Sequence, residues 1–435
     1  MKRLIFLLLL LSACSSVNYE EHSDAGSKYV LDNGLTLLTR QNNDTGLVAI
    51  DLLIKRSIAQ DGDKPGLGFL TTRMLLAGTT TRSREQIISE IENIGGTIDA
   101  NTRAEYAEIA ISVPSNKMST ALEILSDVLK NPTFTQEEFN RAKTILIEEL
   151  QAKKDQPEIR TEDLFMSTIY ANHPYQNPID GYPQTIEKIT RNDVIEHYKK
   201  WYAPQNMYLA IVGNINQEKT VQAVNKLLGK LKPTEYTEAI QYPAPRTETT
   251  TNTSNMILES FYIYQGYQTP PATHADFVPM RLVHSILGSG SGSRLFYNLR
   301  EKKGLAYTVY SLNPSARTTS FLRITMISRP GVVNESLAGI NEQVELIKKE
   351  RVPEEELALT KQKHKGFFAL DHQKTADQAN YLALYEMQGL SYQFDTKYPS
   401  LVDKVTTSDI YTVANKYLNN PAIAIVGPFD ESSIQ

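Results

Sequence analysis

Two distant segments of this 435-residue chain read alike, and that likeness limits the fold more than any other feature. "ITRNDVIEHYKKWYAPQNMYLAIVGN" (189–214) and "VTTSDIYTVANKYLNNPAIAIVGP" (405–428) each open with a threonine and an aspartate suited to capping a helix. Each continues as an amphipathic helix ending in tyrosine, turns, and closes in an apolar strand reading AIVG. Asp193 pairs with Asp409 and Gly213 with Gly427; the offset, roughly 215 residues, is the size of a large domain. The starts agree too, since "LTLLTRQNNDTGLVAIDLLIKRS" and "MILESFYIYQGYQ" are both strand-rich and both lead into helical stretches. The chain is therefore expected to be one unit built twice, a duplication and not a solenoid. Residues 28–228 form the first unit and 256–435 the second, joined by a Pro- and Thr-rich surface linker at 229–255. Strands first, then helices such as 116–131 and 135–154, then a helix–strand close predict an α+β fold. In each half a mainly antiparallel sheet should carry helices packed on one face.

Composition excludes some partners. With 41% hydrophobic residues there is apolar material for large cores, and a formal charge of -5 without a basic block argues against nucleic acid. The first residues, "MKRLIFLLLLLSACSS", combine a positive start with an apolar run too short to span a bilayer. They read as a signal peptide (1–13) ending in a lipobox-like LSAC, with Cys14 as the lipidated residue. Cys14 is the single cysteine, so no disulfide can form within the chain. Ser15 follows it rather than Asp, which suits an outer-membrane lipoprotein of a Gram-negative cell facing the periplasm. Residues 14–27 should be a flexible tether, and the lipid the only contact with the membrane.

The stretch "GLGFLTTRMLLAGTT" (66–80) reads as a short apolar helix closed by Gly78. Zinc peptidases with H-x-x-E-H on a helix place two histidines on one face, with an acid between them reaching the bound water. The frame G-L-A-H-F-L-E-H-M-L-F-x-G-T aligns here without a gap, and the chain resembles the insulinase/pitrilysin family. Gly66, Leu67, Met74, Leu75, Gly78 and Thr79 match it. Phe69 and Arg73 stand where the histidines would be, and Thr72 where the acid would be. "SREQIISEIENIGGTIDANTRAEYAEIAISV" and "HPYQNPIDGYPQTIEKIT" also resemble the family, as do both AIVG strands, so the likeness covers nearly the whole mature chain. "RAKTILIEELQAKKDQPE" resembles the segment that supplies the distal ligand, which falls on Glu149, with Glu148 as the one-residue alternative. No other pair among histidines 22, 173, 197, 274, 284, 364 and 372 has helix-face ligand spacing. This chain is expected to bind no metal of its own and to have no catalytic residues, with an Arg73–Glu149 ion pair standing in for the metal link.

In "GSGSGSRLFYNLREKKGLAYTVYS" (288–311) the family carries an Arg and a Tyr seven residues apart, matched by Arg300 and Tyr307. A helix through Arg300 should end near Gly304 and a strand should follow. The resemblance gives this pair the role of holding a substrate carbonyl opposite the metal. GSGSGS lacks the G-K-[ST] of a phosphate loop and is expected to be a flexible loop over the cleft. Together these features imply a non-catalytic subunit of a heterodimeric zinc peptidase, its zinc held by a homologous partner with an intact H-x-x-E-H. The alternative is a peptide-binding or scaffold lipoprotein of the cell envelope.

Overall fold

The computed structural model describes residues 17–236 and 240–429; the expected signal peptide (1–13) and Cys14 lie outside them. The first half runs β1 (Val17–Ser23), β2 (Gly26–Leu31), β3 (Thr36–Gln41), β4 (Leu47–Lys55), α1 (Leu67–Leu75), α2 (Arg84–Asn93), β5 (Thr97–Thr102), β6 (Tyr106–Pro114). It continues through α3 (Met118–Lys130), α4 (Gln136–Lys153), α5 (Pro157–Ile169), α6 (Pro183–Lys188), α7 (Arg191–Trp201), β7 (Met207–Gly213) and α8 (Gln217–Leu228). The second half runs β8 (Thr250–Asn255), β9 (Phe261–Thr269), α9 (Phe277–Gly288), a π-helical segment at Phe296–Lys302, β10 (Ala306–Leu312) and β11 (Ser320–Ser328). Then come α10 (Val333–Lys349), α11 (Glu354–Asp371), α12 (Thr375–Gln388), α13 (Phe394–Lys404), α14 (Thr407–Tyr417) and β12 (Ala422–Gly427).

The duplication is visible strand by strand. The first sheet has the order β1-β2-β3-β7-β4-β6-β5 and the second β10-β11-β9-β12-β8. Read from its far end, the second repeats β3-β7-β4-β6-β5. The one parallel pair described in each sheet, β3 with β7 and β8 with β12, falls at the same place. The repeated helices start alike: Thr190 N–H donates to Asp193 Oδ2 at 2.8 Å and Thr406 N–H to Asp409 Oδ2 at 2.8 Å. In each, the aspartate N–H returns a bond to the threonine hydroxyl at 3.2 Å, which closes a reciprocal cap.

The expected helix layer covers one face of each sheet. Val48, Ile50, Leu52 and Ile54 of β4 bury against α1, α3 and α4, and Ile263, Ile423 and Ile425 bury against α9 and α14. The other face is covered as well, and each half supplies the cover for its neighbour. Ala379, Leu382 and Ala383 of α12 lie on Leu38, Ala49, Leu53, Ala210 and Val212 of the first sheet. Phe165 and Ile169 of α5 lie on Tyr264, Ala422 and Ala424 of the second. This explains why β7 and β12 are apolar runs and not alternating ones: both faces are dry. Gly266 admits Phe165, because a Cβ there would press into that ring. Ion pairs Lys28–Glu386 (2.6 Å) and Arg40–Asp395 (2.5 Å) tie the halves further. Among the described residues no helix is long and apolar enough to cross a membrane.

Two boundaries need correction. The expected tether at 14–27 is largely strand: β1 pairs antiparallel with β2 from Val17 to Ser23. Its side chains are too polar for a core, but ladder bonds are made by the backbone and ask nothing of them. His22 Nδ1 lies 2.6 Å from Ser27 Oγ, and Gln393 donates to Glu21 Oε1 at 2.8 Å across the halves. Glu20 and Glu21 suit an edge position, where charge discourages further pairing. The linker at 229–255 likewise ends in β8, a strand of the second sheet. Before it, Arg246 donates to the carbonyls of Thr168 (2.7 Å) and Asn420 (3.0 Å) and so pins the linker to both halves.

Candidate functional site

Helix α1 is placed by a buried polar anchor. Asp61 ends a short 3-10 turn at Ile58–Asp61 and accepts from Gly66 N–H and Gly68 N–H, both at 3.1 Å. A carboxylate on the free N–H groups of a helix start is stabilising. Arg56, fully buried, donates to the same carboxylate at 3.0 Å, so the acid is not left unpaired. The geometry needs glycine twice. Gly66 has φ +95°, and a Cβ on Gly68 would lie 2.6 Å from Arg56 Nη2 and nearer still to Nη1 and Cζ. Behind the anchor His197 approaches Asp61 at 3.6 Å, and burial holds its imidazole below the ordinary value.

Along α1 the three substituted positions point to different places. Thr72 is buried; its hydroxyl donates to Gly68 O at 2.8 Å and lies 2.7 Å from Tyr202 Oη, whose phenol burial raises to about 12. Arg73 donates from Nη1 and Nη2 to the two oxygens of Glu149 on α4, at 2.6 and 2.9 Å. The expected pair forms, and its acid is Glu149; Glu148 is exposed on α4. The Arg73 bonds hold the Glu149 carboxyl below its usual range. The side chains are 29% and 44% exposed, so the pair is more solvated than a metal substitute buried in the helix interface would be.

Phe69, half-buried, lines a mostly apolar groove of about 530 Å³ between α1, α4 and α5, which Thr102 of β5 also borders. Asp163, Lys153 and Asp180 reach the same groove. Lys153 pairs with Asp180 at 2.5 Å, while burial and the Asp180 charge push the Asp163 carboxyl up to about 6. Asp163 carries no sequence signal, because nothing in its spacing distinguishes it from a surface acid of an amphipathic helix. The fold brings it to Phe69.

These residues do not fit a zinc ion. An aromatic ring, a hydroxyl already committed to Gly68 and Tyr202, and a permanent cation replace both histidines and the acid, and guanidinium is no ligand. Glu149 is taken up by that cation. Among the described residues no group of three or more His, Cys, Asp or Glu is arranged to hold a metal.

Arg300 and Tyr307 lie in the second half, on either side of the expected turn. Arg300 sits in the π-helical segment with its guanidinium 4.8 Å from the centre of the Phe296 ring, and Gly304 takes φ +61° after the segment ends. Tyr307 stands on β10, an edge strand, and is 61% exposed. Both side chains face solvent and neither is gathered into the groove at Phe69.

Residues 36–181 match the family described as Insulinase (Peptidase family M16), and residues 188–363 match the one described as Peptidase M16 inactive domain. A Rickettsia felis protein called an uncharacterized zinc protease is 28% identical over 420 residues, covering 92% of this chain and 97% of its own. Zinc protease PqqE of Helicobacter pylori is 25% identical over 436 residues, covering 96% of each chain. Among solved structures, a protease from Helicobacter pylori superposes with a TM-score of 0.88 at 22% identity, covering 95% of this chain and 100% of that one. A peptidase M16 inactive domain from Pseudomonas fluorescens gives 0.87 at 22% identity, covering 93% and 98%. These structures share the fold.

Proposed function

The chain belongs to the insulinase family of peptidases, family M16, and on that premise we propose that it is the non-catalytic subunit of a two-chain zinc peptidase. One observation carries the reading. The guanidinium of Arg73 grips Glu149 where the family holds a metal, while Arg300 and Tyr307 remain turned to solvent, available to a group outside this chain. A partner with an intact H-x-x-E-H would supply the zinc, which acts as Lewis acid and activates water. This chain would contribute binding. β5 is the end strand of the first sheet and among the described residues pairs only with β6, so an extended peptide can add to its other edge as a further strand. The groove beside it offers an apolar bed for side chains of that peptide. Arg300 and Tyr307 are both donors, suited to charge that develops on a substrate carbonyl oxygen. Anchored by lipid at Cys14, the pair would process peptides at the periplasmic face of the outer membrane.

The test is reconstitution. Co-expressed with a homologous chain carrying H-x-x-E-H, the protein should co-purify with it and the complex should cut peptides. Replacing Arg300→Ala together with Tyr307→Phe should lower kcat/KM by at least a hundredfold without dissociating the pair. Equal cleavage by the substituted complex would refute the assigned role. Peptide capture by the isolated chain, with no cutting by any partnered form, would identify a binding or scaffold protein instead.

A further inference from the structure

The second half has a cavity of its own, at the place that the duplication makes equivalent to the Arg73–Glu149 site. β9, α9, α11 and α12 repeat β4, α1, α4 and α5 in order and contact, and the cavity opens between α9 and α11. It measures about 430 Å³ and is closed on its other sides by α12 and α13. A small-molecule site has about this size.

Its walls are aromatic to an unusual degree. His372 stacks on Tyr381 at 4.0 Å and lies tilted against Phe368 at 4.0 Å. Tyr385 and Phe394 meet at 5.0 Å, Phe394 and Tyr398 at 5.2 Å, and Phe368 closes the circuit on Tyr398 at 4.7 Å. Rings arranged this way offer faces and edges to a further ring.

Two charged residues line the cavity besides its histidines: Arg281, half-buried, and Asp371, exposed. Arg281 of α9 lines it, donates to the carbonyl of Asn313, and has no carboxylate partner among the described residues. Lys363, next to the lining residue His364, donates to the carbonyl of Ser289 and has no acid partner among the described residues. Asp395, which reaches His372 of the aromatic wall at 3.1 Å, is already held by Arg40 at 2.5 Å. Asp371 stands at the exposed rim. Two of the three lining histidines add no charge at neutral pH: burial and the nearby Arg281 hold His284 down to about 3 and His364 to about 4. Aromatic cages that take cations need the opposite sign. A half-buried guanidinium facing a void and lacking an acid is matched by a carboxylate, which it can bind with two parallel bonds.

We infer that this cavity binds an aromatic carboxylate, its ring among Phe368, Tyr381 and Tyr385 and its carboxylate on Arg281. The chemistry is shared by a free aromatic acid and by a peptide whose last residue is aromatic. The inference stands apart from the proposed partnership, because it concerns the isolated chain and residues that the partnership does not use.

The experiment is calorimetric titration of the mature chain with three probes: N-acetylphenylalanine, its amide, and a hexapeptide ending in phenylalanine with a free carboxylate. At least one free carboxylate should bind one-to-one. The amide should bind at least tenfold more weakly, and Arg281→Gln should cause the same loss for the acid while leaving the amide unchanged. Tyr381→Ala should weaken both. Tighter binding of the hexapeptide identifies a peptide end as the ligand, and tighter binding of N-acetylphenylalanine a free acid. No saturable binding of either carboxylate overturns the inference. So does amide binding within twofold of the acid, a result that needs no variant to fold.

Discussion

Gly68→Ala is the sharpest test of how α1 is held. In an ordinary helix interior the change is favourable by about 1 kcal/mol, since alanine is the better helix former. Here the new methyl would sit 2.6 Å from Arg56 Nη2 and inside the contact distance of Nη1 and Cζ. Arg56 is fully buried and has no route to water, so it must give up its 3.0 Å bond to Asp61 or displace α1. Breaking a buried ion pair while leaving its charges buried costs about 3–5 kcal/mol. Set against the helix gain, the net loss is about 2–4 kcal/mol, or a fall of roughly 2–5 °C in Tm for the two interlocked halves unfolding together. The discriminating measurement is a cycle with Arg56→Ala, followed by urea and thermal unfolding. Once the guanidinium is gone, Gly68→Ala should become neutral or stabilising by up to about 1 kcal/mol, because its methyl enters vacated space. A Gly68→Ala protein as stable as the parent, or the same loss in both backgrounds, would show that the Arg56 contact does not set the residue at 68.

Smaller effects are expected elsewhere. Arg73 and Glu149 are partly solvated, so a double-mutant cycle to alanine should return a coupling of about 0.5–1 kcal/mol that shrinks in high salt; a coupling above about 3 kcal/mol would mean a buried pair. The raised Asp163 carboxyl costs the folded state stability as pH rises from its ordinary value of 3.8 through about 6. Asp163→Asn should therefore gain of the order of 1 kcal/mol at pH 7.5, discounted for partial solvation, and nothing below about pH 4. His364 works with the other sign. The unfolded chain takes up a proton near 6.5 that the folded imidazole refuses until about 4, so its contribution is complete above pH 6.5 and is lost as pH falls toward 4. A plot of unfolding free energy against pH should be flatter over that window for His364→Gln, and parallel curves would contradict the assignment.

Much of the architecture could be read from local chemistry. The threonine–aspartate caps at 190/193 and 406/409 and the AIVG strands announce a repeat because capping and apolar runs depend on neighbours in sequence. The Arg73–Glu149 contact was legible because two separate stretches, the frame at 66–80 and the distal-ligand segment, each resemble the family where it holds the metal. Other features were not, and the reasons are physical. β1 forms through backbone bonds and leaves no apolar alternation to read. The groove at Phe69 joins α1, α4, α5 and β5, so Asp163 acquires its environment only when four elements meet. The aromatic cavity of the second half combines residues from four helices, and no single stretch holds more than a few of them. The crossed placement of α5 and α12 was invisible for the same reason, although the doubly apolar central strands were its trace.

That crossed placement has a consequence for how the polypeptide can be divided. Severing the backbone at 240–245 would remove α12 from the first sheet and α5 from the second, and each fragment would present a bare apolar surface made of Leu38, Leu53 and Val212 or of Tyr264 and Ala424. Two such fragments made separately should be insoluble, whereas made together they should find each other and restore a single particle. The linker is thus a poor place to excise an autonomous domain and a good one to split the protein into complementing parts. The same interlock means that nascent first-half chain must wait, with one sheet face uncovered, until residues 375–388 have left the ribosome.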